Sequence, residues 1–184
     1  MPDRICAPEE ILSFWFEELT PENWFNPTPS LDAQCERRFA PTHLHLARGV
    51  PDSWRSTPER RLAAIILLDQ LPRNIYRGTA LAFATDGLAL AQAREAVATG
   101  DDQKVSADRR IFFYLPFEHS EDLQDQETAV ALFTTLGHPL YLDYAIRHAE
   151  VIRSFGRFPH RNAMLGRASS EAEAAYLAQP GAGF

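Results

Sequence analysis

The chain has very few lysines and very few cysteines. Lys104 is the only lysine, so arginine supplies nearly all of the 18 basic residues. The base composition of a genome can produce this bias, but the planar guanidinium of arginine also suits buried carboxylate or phosphate partners. Cys6 and Cys35 are isolated thiols outside any CxxC pattern. We therefore expect no structural disulfide and no nucleophilic cysteine, and we predict a cytoplasmic protein.

Long apolar runs and an excess of positive charge are absent as well. The longest strongly apolar run covers residues 62–68, far below the roughly 20 residues that cross a bilayer. The start of the chain leads into no apolar signal region. The 18 basic and 25 acidic residues give a net charge of −7. This balance argues against nucleic acid and membranes as partners, although a local group of arginines could bind a small anion.

Several catalytic motifs are missing too. The sequence contains no GxSxG, no P-loop, no GxGxxG and no HExxH, so we expect no cofactor and no metal. The side chains that could ligate a metal are His119, Asp122, His148 and His160, but their spacing is not diagnostic of a metal site. His148 lies on an apolar helical stripe, where a histidine is more often a hydrogen-bonded core residue.

What the sequence does contain is helical periodicity, and no segment shows the alternating pattern of a strand. The chain has 184 residues, of which 45% are hydrophobic and 23% charged, as is usual for a globular protein with a substantial core. We therefore predict one all-α domain over residues 1–184. It should contain about seven to nine helices arranged in antiparallel pairs.

Helix boundaries follow from capping residues, prolines and glycines. Helix starts are predicted at Ser30, Thr57, Asp86, Ser106, Ser120 and, with Glu173 as its capping-box partner, Ser170. Helix ends are predicted at Pro21, Pro72, Gly100, Pro116 and Gly137. Pro41 should kink or split its helix. Residues 71–78 are then expected to form a polar loop, and Trp24 with Phe25 to fill the core.

Three polar segments interrupt the apolar pattern, each at a helix end. They are residues 69–78, residues 117–122 with Gln126, and residues 155–167. Functional sites collect at such positions, because a rigid scaffold holds them in place. The acids and the arginines fall mostly in different segments. We therefore expect the segments to pair with one another across a shared centre.

Two interpretations of these side chains stay open. The arginines either form buried salt bridges that hold helix ends, or they clamp the carboxylate or phosphate of a ligand. Asn74 and Asn162 either satisfy backbone groups in turns or orient that ligand. The predicted ligand-binding set is Arg73, Asn74, Arg77, Glu118, His119, Arg157, His160, Arg161, Asn162 and Arg167.

The neighbouring Glu118 and His119 suggest acid/base chemistry. The catalytic candidates are Glu118, His119 and His160. The alternative is that Glu118 and His119 are partners for the arginines. Glu121 and Asp122 would then be ordinary acids of a first helical turn.

Several long motifs together resemble a known family. They are Leu68-Asp-Gln-Leu-Pro-Arg-Asn-Ile-Tyr-Arg-Gly78, Phe83-Ala-Thr-Asp86, Tyr114-Leu-Pro-Phe-Glu-His-Ser-Glu-Asp122 with Gln126, and Phe155-Gly-Arg-Phe-Pro-His-Arg-Asn162 with Leu165-Gly-Arg167. Phe14-Trp-Phe16, Trp24-Phe25 and the end of the chain, from Tyr176-Leu177 to Phe184, add to the likeness. Together they resemble the bacterial domain-of-unknown-function family 924 over nearly the whole chain, with Pro41 and Leu71 as small departures. The resemblance implies an all-α, tetratricopeptide-like fold, and it brings no established activity and no catalytic residues.

Three functions are compatible with these observations. The first is a binding module whose polar pocket takes an anionic ligand, such as a peptide carboxylate or a phosphorylated metabolite. The second is a hydrolase, with or without a metal, that uses Glu118, His119 or His160. The third is a protein-interaction scaffold whose polar centre is purely structural.

Overall fold

The computed structural model describes residues 4–183, and within that range the chain is all helical, without a strand. Nine helices are present in these residues, which confirms the predicted class and number. They are α1 (residues 8–18), α2 (Pro21–Phe25), α3 (Pro29–Leu46), α4 (residues 58–75), α5 (Asp86–Thr99), α6 (Ala107–Glu118), α7 (Leu123–Leu136), α8 (Pro139–Phe155) and α9 (Glu171–Leu177). None of the described helices is long and apolar enough to cross a membrane. The tetratricopeptide-like arrangement stays a prediction.

The chain forms two compact units. The first comprises the residues up to Arg77 together with Leu81–Pro116, and the second comprises Gly78–Ala80 and the residues from Phe117 onward. The single domain predicted for residues 1–184 therefore stays a prediction. Short 3₁₀ turns connect some of the helices: Asp52–Trp54, Ala80–Phe83, Asp102–Lys104 and Pro159–Arg161.

Two of the predicted helix starts are shifted by one or two residues. Thr57 caps α4 as predicted, since its side chain accepts a hydrogen bond from the backbone N–H of Arg60. α3 is capped by Thr28 rather than by Ser30, since Pro29 follows Thr28 just as Pro58 follows Thr57. Asp86 is the first residue of α5 and follows the cap position instead of occupying it.

Among the remaining predicted helix caps, the one at Ser120 is also corrected. α7 is capped by Asp122, whose carboxylate accepts from the N–H of Gln124 at 2.7 Å, and not by Ser120. The Ser170–Glu173 capping box of α9 is present as predicted. Gly100 and Gly137 end their helices with left-handed φ values of 71° and 76°, a conformation that glycine adopts without steric cost.

Proline does not end α4 or α6. α4 continues through Pro72 to Ile75, so the polar loop predicted for residues 71–78 begins only after the helix. α6 likewise continues through Pro116 to Glu118, and α3 is not split at Pro41. A kink at Pro41 stays a prediction. The predicted ends at Pro72 and Pro116 were wrong because they treated proline as a helix end, whereas a helix can continue if its freed carbonyl finds another donor.

In α4 that other donor is identifiable. A π-helical turn, Ile66–Gln70, precedes the proline, and the N–H of Leu71 donates to the carbonyl of Ile66, five residues back. The carbonyl of Leu68, four residues before Pro72, accepts from the Thr85 hydroxyl at 2.6 Å. A side chain from outside the helix therefore replaces the N–H that proline lacks.

The first unit is built on an aromatic cluster. Trp15 is 2% exposed and lies parallel to Trp24, and it meets the ring of Phe112 edge-on at 5.7 Å between centroids. The indole N–H of Trp24 donates to the carbonyl of Trp15 at 2.8 Å. Phe25 is 49% exposed, so the prediction that it fills the core was wrong.

The second unit is built on the helical hairpin of α7 and α8, joined by Gly137 and His138. The apolar stripe on which His148 was predicted to lie is exposed before that residue, since Leu140 and Tyr144, two turns and one turn earlier, are 55% and 40% exposed. Gly156 ends α8 in a left-handed conformation. The following residues then bring Phe158, which is fully buried, against Val151 and Ile152, with Phe155 and Tyr176 packed beside them.

Candidate functional site

The loop after α8 is held by the backbone of its central aromatic residue. The N–H of Phe158 donates to Oε1 of Glu121 at 2.8 Å, and its carbonyl accepts from Nη2 of Arg167 at 3.1 Å. Nη1 and Nη2 of Arg167 also donate to the two carboxylate oxygens of Glu121 at 2.7 and 2.9 Å. Residues from the second and third polar segments therefore pair as expected.

This pairing changes the proton affinity of the acid. Burial alone would raise the pKa of Glu121, but the hydrogen bonds from Arg167 and from the N–H of Phe158, with the nearby positive charges, hold it below its ordinary value. Glu121 is therefore ionised at neutral pH, and Arg167 acts as a clamp that closes the loop.

A second bidentate pair fixes the far end of the loop. Nε and Nη2 of Arg157 donate to Glu173 at 2.6 and 2.8 Å, and Nη2 also donates to the carbonyl of Ala168. Glu173 is in turn part of the capping box of α9. Hydrogen bonding to Arg157 and to the backbone of Ser170 lowers the pKa of Glu173, so this acid too is ionised.

Asn162 works inside the same loop. It is 1% exposed, its Oδ1 accepts from Nε of Arg167 at 2.9 Å, and its Nδ2 donates to the hydroxyl of Ser169 at 3.1 Å. Its backbone carbonyl accepts from the N–H of Arg167. These bonds match the structural interpretation of Asn162, in which the amide satisfies groups of a turn.

Five further side chains of the second unit form what we call the polar cluster: Glu118, His119, His148, His160 and Arg161. Its strongest geometric feature is a buried pair. Oε1 of Glu118 lies 3.2 Å from Nδ1 of His148, and the side chains are only 4% and 6% exposed. Nδ1 also lies 2.8 Å from the carbonyl of Tyr144. Because that carbonyl can only accept, Nδ1 carries the proton and Nε2 is an acceptor.

Three residues of the polar cluster lie against the aromatic ring of Phe158. The ring of His148 meets it edge-on at 5.6 Å, the ring of His160 lies 5.6 Å away, and the guanidinium carbon of Arg161 stands 4.6 Å from the ring centre. His119 is 6.4 Å from His148 between ring centroids. The arrangement therefore places a guanidinium and two imidazoles around one buried aromatic ring.

His148 is neutral in this environment. Burial lowers its pKa to about 3, the charges of His119, His160 and Arg161 act in the same direction, and the Tyr144 carbonyl opposes them. The sequence predicted a satisfied core histidine here, and the side chain is indeed buried and hydrogen-bonded. Its pairing with Glu118 was missed, since Glu118 lies on a different helix and no spacing rule connects the two.

Gln126 explains how Glu118 is positioned. The side-chain Nε2 of Gln126 donates to the carbonyls of Glu118 and Ser120, both at 2.6 Å, and lies 3.4 Å from that of Phe117. Carbonyls at the end of α6 lack partners within the helix. The fully buried side-chain amide of Gln126, on α7, therefore supplies hydrogen bonds to carbonyls at the end of α6, next to the side chain of Glu118.

The first polar segment finds partners within the first unit. Nη2 of Arg73 donates to Asp86 at 2.8 Å and lies 3.8 Å from Asp69. Asp32 accepts from Nε and Nη2 of Arg77 at 2.6 and 2.9 Å, and its Oδ1 also accepts from Nδ2 of Asn74. Arg73, Asn74 and Arg77 are thus engaged by protein carboxylates.

A buried histidine of the first unit was not anticipated at all. His43 is 3% exposed, its Nδ1 lies 3.2 Å from the hydroxyl of Tyr76, and its Nε2 lies 3.0 Å from that of Thr85. Because Thr85 gives its proton to Leu68, it accepts from Nε2–H of His43, and Nδ1 accepts from Tyr76. Burial lowers the pKa of His43 to about 4. In the sequence, the sign of this network was Pro72, which leaves the carbonyl of Leu68 without a backbone N–H donor.

Metal and thiol chemistry find little support in the described residues. Across residues 4–183, no group of three or more His, Cys, Asp or Glu side chains could hold a metal ion. His119, Asp122, His148 and His160 therefore form no such group. Both cysteines are buried and free, and burial raises the pKa of the Cys35 thiol to about 12, so Cys35 carries no reactive thiolate at neutral pH.

Comparison with known proteins supports the architecture. Residues 11–181 match the family model described as a bacterial protein of unknown function, DUF924. The chain is also similar to the solved structure of a protein of unknown function from Agrobacterium tumefaciens, with 43% sequence identity and a TM-score of 0.89. That similarity covers 94% of this chain and 97% of the other. No curated protein matches.

Proposed function

Because this chain belongs to the DUF924 family of bacterial proteins of unknown function, whose description assigns no activity, we propose a function from the polar cluster itself. We propose that the second unit is a binding module and that Glu118, His119, His148, His160 and Arg161 receive a small anionic group. The group would be the carboxylate of a peptide or the phosphate of a metabolite, which share the chemistry that arginine recognises.

One observation carries the proposal: three side chains of the cluster are almost fully buried, two of them against the ring of Phe158 and the third, Glu118, beside His148. Glu118, His148 and Arg161 are 3%, 5% and 7% exposed. Burying an ionised group costs several kcal/mol unless its interactions compensate. The ends of the loop are already held by the pairs of Arg157 and Arg167 with acids. Titratable side chains buried together in a small cluster are typical of a binding site.

The chemistry of the cluster suits a group with both acceptor and donor atoms. Arg161 contributes positive charge, which attracts a carboxylate or phosphate. The neutral His148 contributes an acceptor at Nε2, which suits the N–H of a peptide or the hydroxyl of a hydrogen phosphate. His119, which lies beside His148, and His160, which lies beside Phe158, would add hydrogen bonds.

The proposed site keeps only part of the predicted ligand-binding set. Glu118, His119, His160 and Arg161 belong to it, and His148 is added. Arg157, Asn162 and Arg167 are bound to protein groups, so in the proposal they shape the loop. A contact between a ligand and Arg73, Asn74 or Arg77 stays a prediction.

Titration with inorganic phosphate and with acetate tests the proposal. Using the full chain, we expect the imidazole resonances of His119, His148 and His160 to shift in NMR spectra. The shifts should disappear in Arg161→Gln and return in part in Arg161→Lys. Arg153→Gln is the matched control, since it removes the same charge from an exposed position of α8. Equal binding by Arg161→Gln and Arg153→Gln, or no binding by the unsubstituted chain, contradicts the proposal.

A hydrolase is the second candidate, because Glu118 orients His148 as an acid orients a general base. The pKa of His148, about 3, makes it a weak base. Binding is therefore the better supported function. An activity screen with His119→Ala, His148→Gln and His160→Ala tests the alternative, and turnover that none of these changes lowers removes it.

A further inference from the structure

The segment that follows α9, residues 179–183, runs back onto the polar cluster, and we call it the strap. The N–H of Ala182 donates to the carbonyl of Gln179 at 3.2 Å, which turns the chain. The N–H of Gly183 then donates to the hydroxyl of Tyr176 at 3.4 Å. This places the end of the strap beside the side chain of His160.

The contact with His160 depends on glycine. Gly183 has a φ of +85°, and a Cβ atom added there would lie 3.2 Å from Cβ of His160 and 3.6 Å from its Cγ. With any other residue at this strained φ, the imidazole or the strap would have to shift by a few tenths of an ångström. Gly181 also has a left-handed φ, +75°, but a Cβ atom there would meet nothing within 4 Å. The close approach is therefore particular to Gly183.

The base of the strap is firmly held, whereas its end is not. α9 is anchored by the bidentate pair of Arg157 and Glu173, and the ring of Tyr176 packs against Phe155 at 5.3 Å. Among residues 4–183, the end of the strap is held by the hydrogen bond from Gly183 to Tyr176, at the long limit of the normal range. Segments that open for ligands have this character, with few buried contacts and a fixed hinge.

We propose that the strap covers His160 and competes with the ligand for the polar cluster. It lies on His160, and His160 packs on Phe158, the ring that the cluster shares. A ligand that engages His160 displaces the strap, which turns about the end of α9. The covering itself rests on the contacts of Gly183 alone, and the competition rests in addition on the proposed function.

Chemical labelling of histidines in the full chain tests the covering. In Gly183→Ala, modification of His160 by diethyl pyrocarbonate, followed by mass spectrometry, should become several-fold faster. Gly181→Ala is the matched control, since it places the same side chain on the same kind of backbone without meeting His160. Tyr176→Phe, which removes the hydrogen bond of the strap, should act in the same direction as Gly183→Ala. Equal labelling of His160 in Gly183→Ala and Gly181→Ala overturns the covering.

Phosphate titration of the same variants tests the competition. Tighter phosphate binding by Gly183→Ala than by Gly181→Ala supports it, and equal affinities overturn it even if labelling has become faster. If neither the variants nor the unsubstituted chain binds phosphate, the proposed function and the proposed competition both fail. The labelling result still decides the covering of His160 by the strap.

Discussion

The two units each bury a neutral histidine, and they use it differently. His43 of the first unit and His148 of the second are 3% and 5% exposed, and burial lowers the pKa values to about 4 and about 3. His43 lies in a chain of uncharged hydroxyl groups that ends at a backbone carbonyl. His148 lies beside a carboxylate and near the charge of Arg161. The two histidines are therefore buried to a similar extent, but His43 belongs to an uncharged hydrogen-bonded network and His148 to a charged cluster.

The largest effect should come from removing His148. In His148→Leu the buried carboxylate of Glu118 loses the N–H donor of its imidazole partner. Leaving a buried group without its hydrogen bond costs ~1–3 kcal/mol, and more if the group is charged. Denaturation with urea should show this loss in the free energy of unfolding. The double variant Glu118→Gln with His148→Leu should recover much of it, since no charge remains to be compensated. A loss as large in the double variant would mean that the carboxylate is not the cause.

The next effect should appear on acidification, through His43. The folded pKa is lowered from 6.5 to about 4, so the unfolded chain binds the proton first. The contribution of His43 to stability is full above pH 6.5 and is lost as the pH falls from 6.5 towards 4. The loss should reach ~3 kcal/mol, at ~1.4 kcal/mol per unit. Unfolding measured between pH 7 and 4 should show a smaller slope in His43→Gln, and identical slopes would contradict the prediction.

A smaller effect should follow from breaking the hydroxyl chain. Thr85→Val keeps the shape of the side chain but removes the donor to Leu68 and the acceptor for His43. Leaving a buried polar group unsatisfied costs ~1–3 kcal/mol. Thermal unfolding should show this loss, and Thr85→Ser, which keeps the hydroxyl, should lose much less. Equal losses would show that the methyl group, and not the hydrogen bond, stabilises α4.

The helical class was predictable because helical periodicity and caps are local signals. Thr57 and the Ser170–Glu173 box were assigned from neighbouring residues alone, and both are confirmed. The continuation of α4 through Pro72 was not predictable. It depends on the Thr85 hydroxyl, which belongs to another part of the chain and reaches Leu68 only in the folded state.

The polar segments were recognisable, but most of the partners of the arginines were not. Asp32, Asp86 and Glu173 pair with Arg77, Arg73 and Arg157, and all three acids lie in the first turn of a helix. In a sequence such acids are adequately explained by the helix dipole. Only the folded chain shows that each of them also binds an arginine from a loop or a helix end.

The π-helical turn of α4 has a consequence for insertions and deletions. Each residue of an α-helix turns the chain by ~100° about the helix axis. The hydrogen bond of the π-helical turn reaches five residues back instead of four, so the turn holds one extra residue. Deleting one residue from Ile66–Gln70 would therefore restore an ordinary α-helical turn and keep Arg73 and Asn74 directed towards Asp86 and Asp32. Deleting one residue from Pro58–Ile65 would instead rotate both side chains by that angle. The π-helical turn is thus the one place described in α4 where a single-residue deletion leaves the direction of the later side chains unchanged.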